Sequence, residues 1–218
     1  MRDKLLSILL GVAILFFIIT FSIALPIYCR FFYYLHINAL DIPKTTGYDY
    51  ATIKHGFDQV LNFLTIPGRE FSVGAFGYTE AGKAHFQDCK MLFNLNAIVL
   101  ICSTIVAATL LILNRKKVII LKRPFGMHVA FVSAISIFVV AIILGGLIAI
   151  DFDKAFVIFH KIFFPGKDNW QFSSKDEIIY ALPQEFFRNC AILIGGCIII
   201  FCLSIIIVQL IKRHKNKI

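Results

Sequence analysis

Three side chains able to do chemistry crowd into one stretch of this chain. His85, Asp88 and Cys89 fall at i, i+3 and i+4 within residues 78–93, so a helix there sets all three on one face. An imidazole titrates near neutrality and can act as acid or base. A second histidine, His160, follows Asp151 and Asp153. Asp153, Phe156, His160 and Phe164 fall at i, i+3, i+7 and i+11, a single helical stripe. Asp153 cannot touch His160 along that stripe, since two turns cover about 10 Å.

Other chemistries are poorly supported. Neither H-E-x-x-H nor H-x-x-x-H occurs, so a metal site at His85, Asp88, Asp153 and His160 has the ligand types without the spacing. G-x-S-x-G is absent, and Ser72, Ser173 and Ser174 lack the context of a nucleophile. Cys89 could in principle attack an ester, but the reading leaves it as a bystander. His36, His55, His128 and His214 have no comparable setting. Of the six cysteines, Cys102, Cys197 and Cys202 lie in apolar segments and read as small hydrophobes. Spacing neither requires nor forbids a disulfide among Cys29, Cys89 and Cys190.

The elements that must position these groups belong to a membrane. The chain is 218 residues long, 59% hydrophobic and 16% charged, with a mean hydropathy of +0.82. A soluble domain is about 45–50% apolar and about 25% charged. Four stretches are long enough to span, at roughly 20 residues each: about 5–25, 95–113, 126–150 and 191–211. None holds Asp, Glu, Lys or Arg, which argues against an ion pathway. The pairs Gly145-Gly146 and Gly195-Gly196 suit close helix packing. The first stretch is too long, and Leu25-Pro26-Ile27-Tyr28 too bulky, for a cleaved signal; an uncleaved anchor is expected.

Charge sets the orientation. Arg2, Lys4, Arg115, Lys116, Lys117, Lys122, Arg123, Lys212, Arg213, Lys215 and Lys217 are 11 of the 22 basic residues, accompanied by Asp3 alone. The other two loops hold the remaining 11 basic and 12 acidic residues. The positive-inside rule places both termini and loop 114–125 in the cytoplasm and loops 26–94 and 151–190 outside. The net charge of +9 is therefore a topology signal, not a nucleic-acid footprint.

The outward loops are expected to be helical and rich in Phe, forming either a dense cap or a greasy groove at the outer leaflet. An interfacial helix is expected over 27–40, an amphipathic helix over 50–64 and a loop or short strand pair over 70–76. A helix capped by Thr79 should run directly into the second span. Ser174-Lys175-Asp176-Glu177 reads as a capping box for a helix over 177–182.

Two stretches resemble a bacterial four-span family, the lipoprotein intramolecular transacylases. They are Asp151-Phe152-Asp153, Phe156, Phe159-His160, Phe163-Phe164, Trp170 and Pro183 with Phe186-Phe187, and Thr79-Glu80 with His85, Asp88 and Lys90. Span number and loop order agree over essentially the whole chain. The resemblance implies an all-α integral membrane enzyme with four transmembrane helices and an extracytoplasmic cap. It implies a multi-pass location in the bacterial cell membrane with the active site at the outer face. The implied substrate is a diacylated lipoprotein, alongside membrane lipids, with no cofactor, metal or nucleic acid. The implied reaction moves the sn-2 acyl chain of the diacylglyceryl group onto the α-amino group of the N-terminal Cys, giving the lyso form.

His85 and His160 match the family's functional histidines. Because ester and amine share one molecule, no enzyme nucleophile is needed, and alignment can contribute about 7–11 kcal/mol. Proton handling remains: His85 is read as base and His160 as oxyanion stabiliser or acid, with exchange of roles open. Asp88, Asp153 and Lys90 are read as supporting residues that orient or tune them. Two other readings stay open, a non-enzymatic envelope assembly or signalling protein and an intermolecular phospholipid acyltransferase.

Overall fold

A computed structural model describes residues 2–122 and 124–215, with the backbone alone at Phe125. Arg123 and Lys217, both part of the charge argument, lie outside the described residues. Helices α1 (Arg2–Tyr28), α2 (Arg30–Ala39), α3 (Ile42–Thr46), α4 (Tyr50–Thr65) and α5 (Glu80–Arg115) come first. A short 3-10 turn, Pro124–Gly126, precedes α6 (Val129–Ile150), α7 (Phe152–Phe163), α8 (Ile178–Ala181) and α9 (Gln184–Lys215). There is no strand among the described residues. Four of these helices, α1, α5, α6 and α9, are long and apolar enough to cross a membrane.

Local chemistry accounts for most boundaries. Pro26 is tolerated inside α1, and the helix breaks at Cys29 before α2 resumes. Asp49 caps α4 by accepting from the Thr52 amide at 2.7 Å. Thr79 caps α5, its hydroxyl accepting from the Gly82 amide at 3.1 Å. From there α5 runs unbroken into the apolar stretch 95–113. Its last residue is Arg115, and α9 ends on Lys212–Lys215, basic groups where a helix carries negative potential.

One expectation is narrowed and another needs correction. Of the two alternatives for residues 70–76 the loop holds and the strand pair does not: 70–73 are irregular and 74–76 turn, with Gly74 at φ +66° leaving no run long enough to pair. The stretch 42–46, expected to be loop, is a helical turn with Pro43 in its first turn.

The residues group into two compact units. One comprises the chain up to Ala24, Asn96–Leu147 and the chain from Leu193. Its core gathers Leu10, Ile14 and Ile18 with Leu110, Ala134, Ile137 and Cys202. Gly11 permits a close crossing here: a methyl group would come within 3.1 Å of Val129 and Ser133, and Ser133 Oγ donates to the Gly11 carbonyl.

The other unit comprises Leu25–Leu95 and Ile148–Ile192 and carries most of the described histidines. Tyr33 stacks on Phe57 at 3.8 Å, Phe186 meets Tyr33 edge-on, and the Tyr33 hydroxyl donates to the Ala181 carbonyl. Arg30 bridges Asp58 and Asn62, and Tyr34 and Lys54 complete the Asp58 shell. This ties α2 to α4.

Asp176 is the least expected member. The predicted capping box does not form: Ser174 is exposed and Glu177 caps nothing through its side chain. Instead Asp176, 1% exposed, accepts from the amide and hydroxyl of both Thr79 and Ser173. It thereby fastens the start of α5 to the segment 173–176. Gly82 is bare because a methyl group there would overlap the Asp176 carboxylate.

Candidate active site

His85 lies in residues 80–94 of α5, ahead of the apolar stretch, and His160 lies in the last turn of α7. Each is only 6% exposed. Their rings are 5.7 Å apart, centre to centre, close enough to serve one ester group. Phe164 and Phe172 meet the His85 ring edge-on at 4.9 and 5.5 Å. Trp170 stacks on His160 at 4.6 Å, and Phe156 lies 4.4 Å away. Aromatic rings therefore cover both imidazoles and leave little of either exposed.

Hydrogen bonds distinguish the two rings. His160 Nδ1 lies 2.7 Å from the Phe156 carbonyl oxygen. A carbonyl only accepts, so Nδ1 carries the hydrogen and Nε2 of the neutral ring is a bare lone pair. His85 Nε2 lies 3.4 Å from Cys89 Sγ. His85 Nδ1 is buried with no hydrogen-bond partner among the described residues, an arrangement found at functional sites.

Asp88 is 7% exposed and stands beside His85 on α5. Its Oδ1 accepts from Lys167 Nζ and its Oδ2 from Asn169 at 3.1 Å. Burial works against its ionisation, but the Lys167 and Asn169 hydrogen bonds outweigh it and hold the carboxyl below its usual range. Asp88 thus ties residues 167–169 to α5. Asp153 is further out: its Oδ1 accepts from Gln184 at 2.7 Å. Lys90 reaches toward the Arg69 carbonyl at 3.5 Å and lies 4.1 Å over the Phe63 ring. The geometry therefore joins His85, Asp88 and His160, and it engages Asp153 and Lys90 elsewhere. Lys167 and Asn169 were not singled out in the sequence, because they fall in an irregular segment without periodicity. The one available signal was Trp170, the chain's sole tryptophan.

Both imidazoles are held neutral. Burial lowers His85 to about 4, assisted by His160 and Lys167 and opposed by Asp88. Burial also lowers His160, partly offset by its bond to the Phe156 carbonyl. The same burial raises Cys89 to about 12, with the Asp88 charge adding to it. Among the described residues, no three His, Cys, Asp or Glu side chains group as a metal site would need, and all six cysteines are free thiols.

The His85 shift has a consequence for stability. With its pKa depressed in the folded protein, the unfolded chain binds the proton more readily, so stability falls as the pH drops. The loss begins near the ordinary value of 6.5 and is complete below about 4. Melting temperature measured across that window should decline, and His85→Gln should flatten the decline. An unchanged slope in that variant would assign the acid sensitivity to other groups.

A protein-family model described as lipoprotein intramolecular transacylase Lit matches residues 8–187. The fold is similar to the solved structure of the membrane-integral lipoprotein intramolecular transacylase Lit from Bacillus cereus. That likeness has a TM-score of 0.85 and 27% identity, and covers 98% of each chain. Structures of the Bacillus cereus protein carrying H85R and H85A are also similar. Each has a TM-score of 0.76 and 28% identity; the first covers 99% of this chain and 95% of that one, the second 98% and 96%. No curated relative matches the sequence.

Proposed function

The chain belongs to the lipoprotein intramolecular transacylase family, and from that premise we propose that it converts diacylglyceryl lipoproteins to their lyso form through His85 and His160. The protein is a multi-pass membrane enzyme with four apolar helices. The proposal adds the acyl chain moved, the side of the membrane and the role of each histidine. The sn-2 acyl group leaves its glyceryl oxygen and joins the α-amino nitrogen of the N-terminal Cys of the same molecule.

The single observation that carries the roles is the His160 hydrogen bond to the Phe156 carbonyl. It leaves Nε2 as a lone pair, the form a general base requires. That favours the exchanged assignment: His160 as base and His85 as oxyanion stabiliser. The neutral α-amine attacks the ester carbonyl and an N–C bond forms. His160 Nε2 takes the proton that the nitrogen must lose. The carbonyl oxygen becomes an oxyanion, and a hydrogen on His85 Nδ1 meets that charge. A neutral imidazole can serve as such a donor. Collapse breaks the C–O bond to glycerol, and the departing oxygen recovers the proton from His160. Protons, bonds and charges balance without a cofactor.

The surroundings suit a lipid ester. On α7, Ile158, Phe159, Ile162 and Phe163 are 46–66% exposed while His160 on the opposite side is buried. α7 begins two residues after α6 ends. We place that apolar face against the outer leaflet, with both termini in the cytoplasm as the basic residues direct.

The test expresses the chain in bacteria that lack lipoprotein N-acylation and reads an N-terminal lipopeptide by tandem mass spectrometry. The expected product has the mass of the diacyl form, because donor and acceptor are one molecule. Its fragments show one acyl chain as an amide and one on glycerol. A peptide heavier by one acyl chain indicates transfer from phospholipid, and an unaltered diacyl fragmentation pattern overturns the proposal.

A further inference from the structure

Cys89, one helical turn beyond His85, is used by no step above. We propose that it is a positioning residue: its S–H donates to His85 Nε2 and holds the imidazole in the tautomer that carries hydrogen on Nδ1. The Sγ–Nε2 separation is 3.4 Å, and both residues sit on the same face of α5.

In many sites a carboxylate fixes the tautomer of a catalytic histidine. Asp88 is the neighbouring acid here, but Lys167 and Asn169 occupy its two oxygens. The thiol is then the group left to do it. Burial keeps it protonated, so it has a hydrogen to give. A neutral imidazole has one hydrogen. If Nε2 accepts from the thiol, that hydrogen stands on Nδ1, the buried atom without a partner among the described residues. The opposite tautomer would leave bare lone pairs on both His85 Nδ1 and His160 Nε2, and no imidazole donor for an oxyanion. Besides the Cys89 thiol, the charged and titratable groups around the His85 ring are His160, Asp88 and Lys167; among the described residues only Cys89 is within hydrogen-bond reach of the ring.

The functional meaning rests on the transacylase reading, but the tautomer belongs to the resting protein and is measured without substrate. The full chain is labelled with 15N-histidine, and the imidazole nitrogen shifts are recorded near pH 7 in detergent micelles, His85→Gln identifying the resonances. The expected result is a hydrogen on Nδ1 and an unprotonated Nε2, with an S–H infrared band that shifts when His85 is replaced. A hydrogen on Nε2, or a thiol band indifferent to His85, overturns the proposal. In turnover, C89A should lower kcat by up to about tenfold, the span of one neutral hydrogen bond, with KM unchanged. C89S, which keeps a donor, should recover most of it, and full activity in C89A would also overturn the proposal. If the chain proves inactive on lipoprotein, the tautomer result stands independently.

Discussion

His160→Gln should reduce acyl transfer by about 10²–10⁴-fold, the usual contribution of a positioned base, while the protein still inserts and folds. The amide retains a donor for the Phe156 carbonyl, so the local hydrogen bond survives. What disappears is the basic nitrogen lone pair of Nε2, since the glutamine oxygen accepts hydrogen bonds but does not take up a proton near neutral pH. His85 gives a different pattern. Removing an oxyanion donor costs about 10²–10³-fold, and an amide can replace an imidazole N–H. His85→Asn should therefore keep more activity than His85→Leu, whereas His160→Gln and His160→Leu should be equally poor. Initial rates on a synthetic diacyl lipopeptide, with the purified variants, decide this. An amide that rescues His160 but not His85 would restore the opposite assignment of roles.

Asp176→Ala should be the most damaging change outside the imidazole pair. Its carboxylate holds the amides and hydroxyls of Thr79 and Ser173 in a site with 1% exposure. Burial works against its ionisation, and the bonds from Thr79 and Ser173 outweigh that and hold the carboxyl below its usual range. Deleting the acceptor strands those donors, a loss of roughly 3 kcal/mol if hydrogen bonds to charged groups contribute their usual amount. The α5 N-terminus and Phe172, which packs on His85, both lose their fastening. Thermal unfolding and lipopeptide turnover should fall together. Gly82→Ala should act in the same direction by forcing a methyl group into the carboxylate. Wild-type stability in both variants would show that this contact is dispensable.

Hydropathy was a reliable guide to the four long helices, because a bilayer imposes length and composition at once. The amphipathic period of α4 and the Thr79 cap of α5 were equally legible, since each is decided by neighbours within a turn or two. The contacts that finish the site are of another kind. Asp176 meets Thr79 across 97 residues and Lys167 meets Asp88 across 79. Read locally, Asp176 was one letter of a capping box. The two histidines could be nominated from the sequence, but their tautomers could not. Those depend on a backbone carbonyl and a thiol whose angles only the folded chain fixes.

The 75 positions separating His85 from His160 also have a meaning in time. Synthesis runs from the N-terminus, so α5 and its imidazole exist before the chain has completed α6 and α7. A nascent chain then holds one imidazole of the pair without the other. Competence arrives late, when the second loop folds back and brings its aromatic rings over both imidazoles. An unfinished copy already anchored in the bilayer thus has only one of the two imidazoles in place.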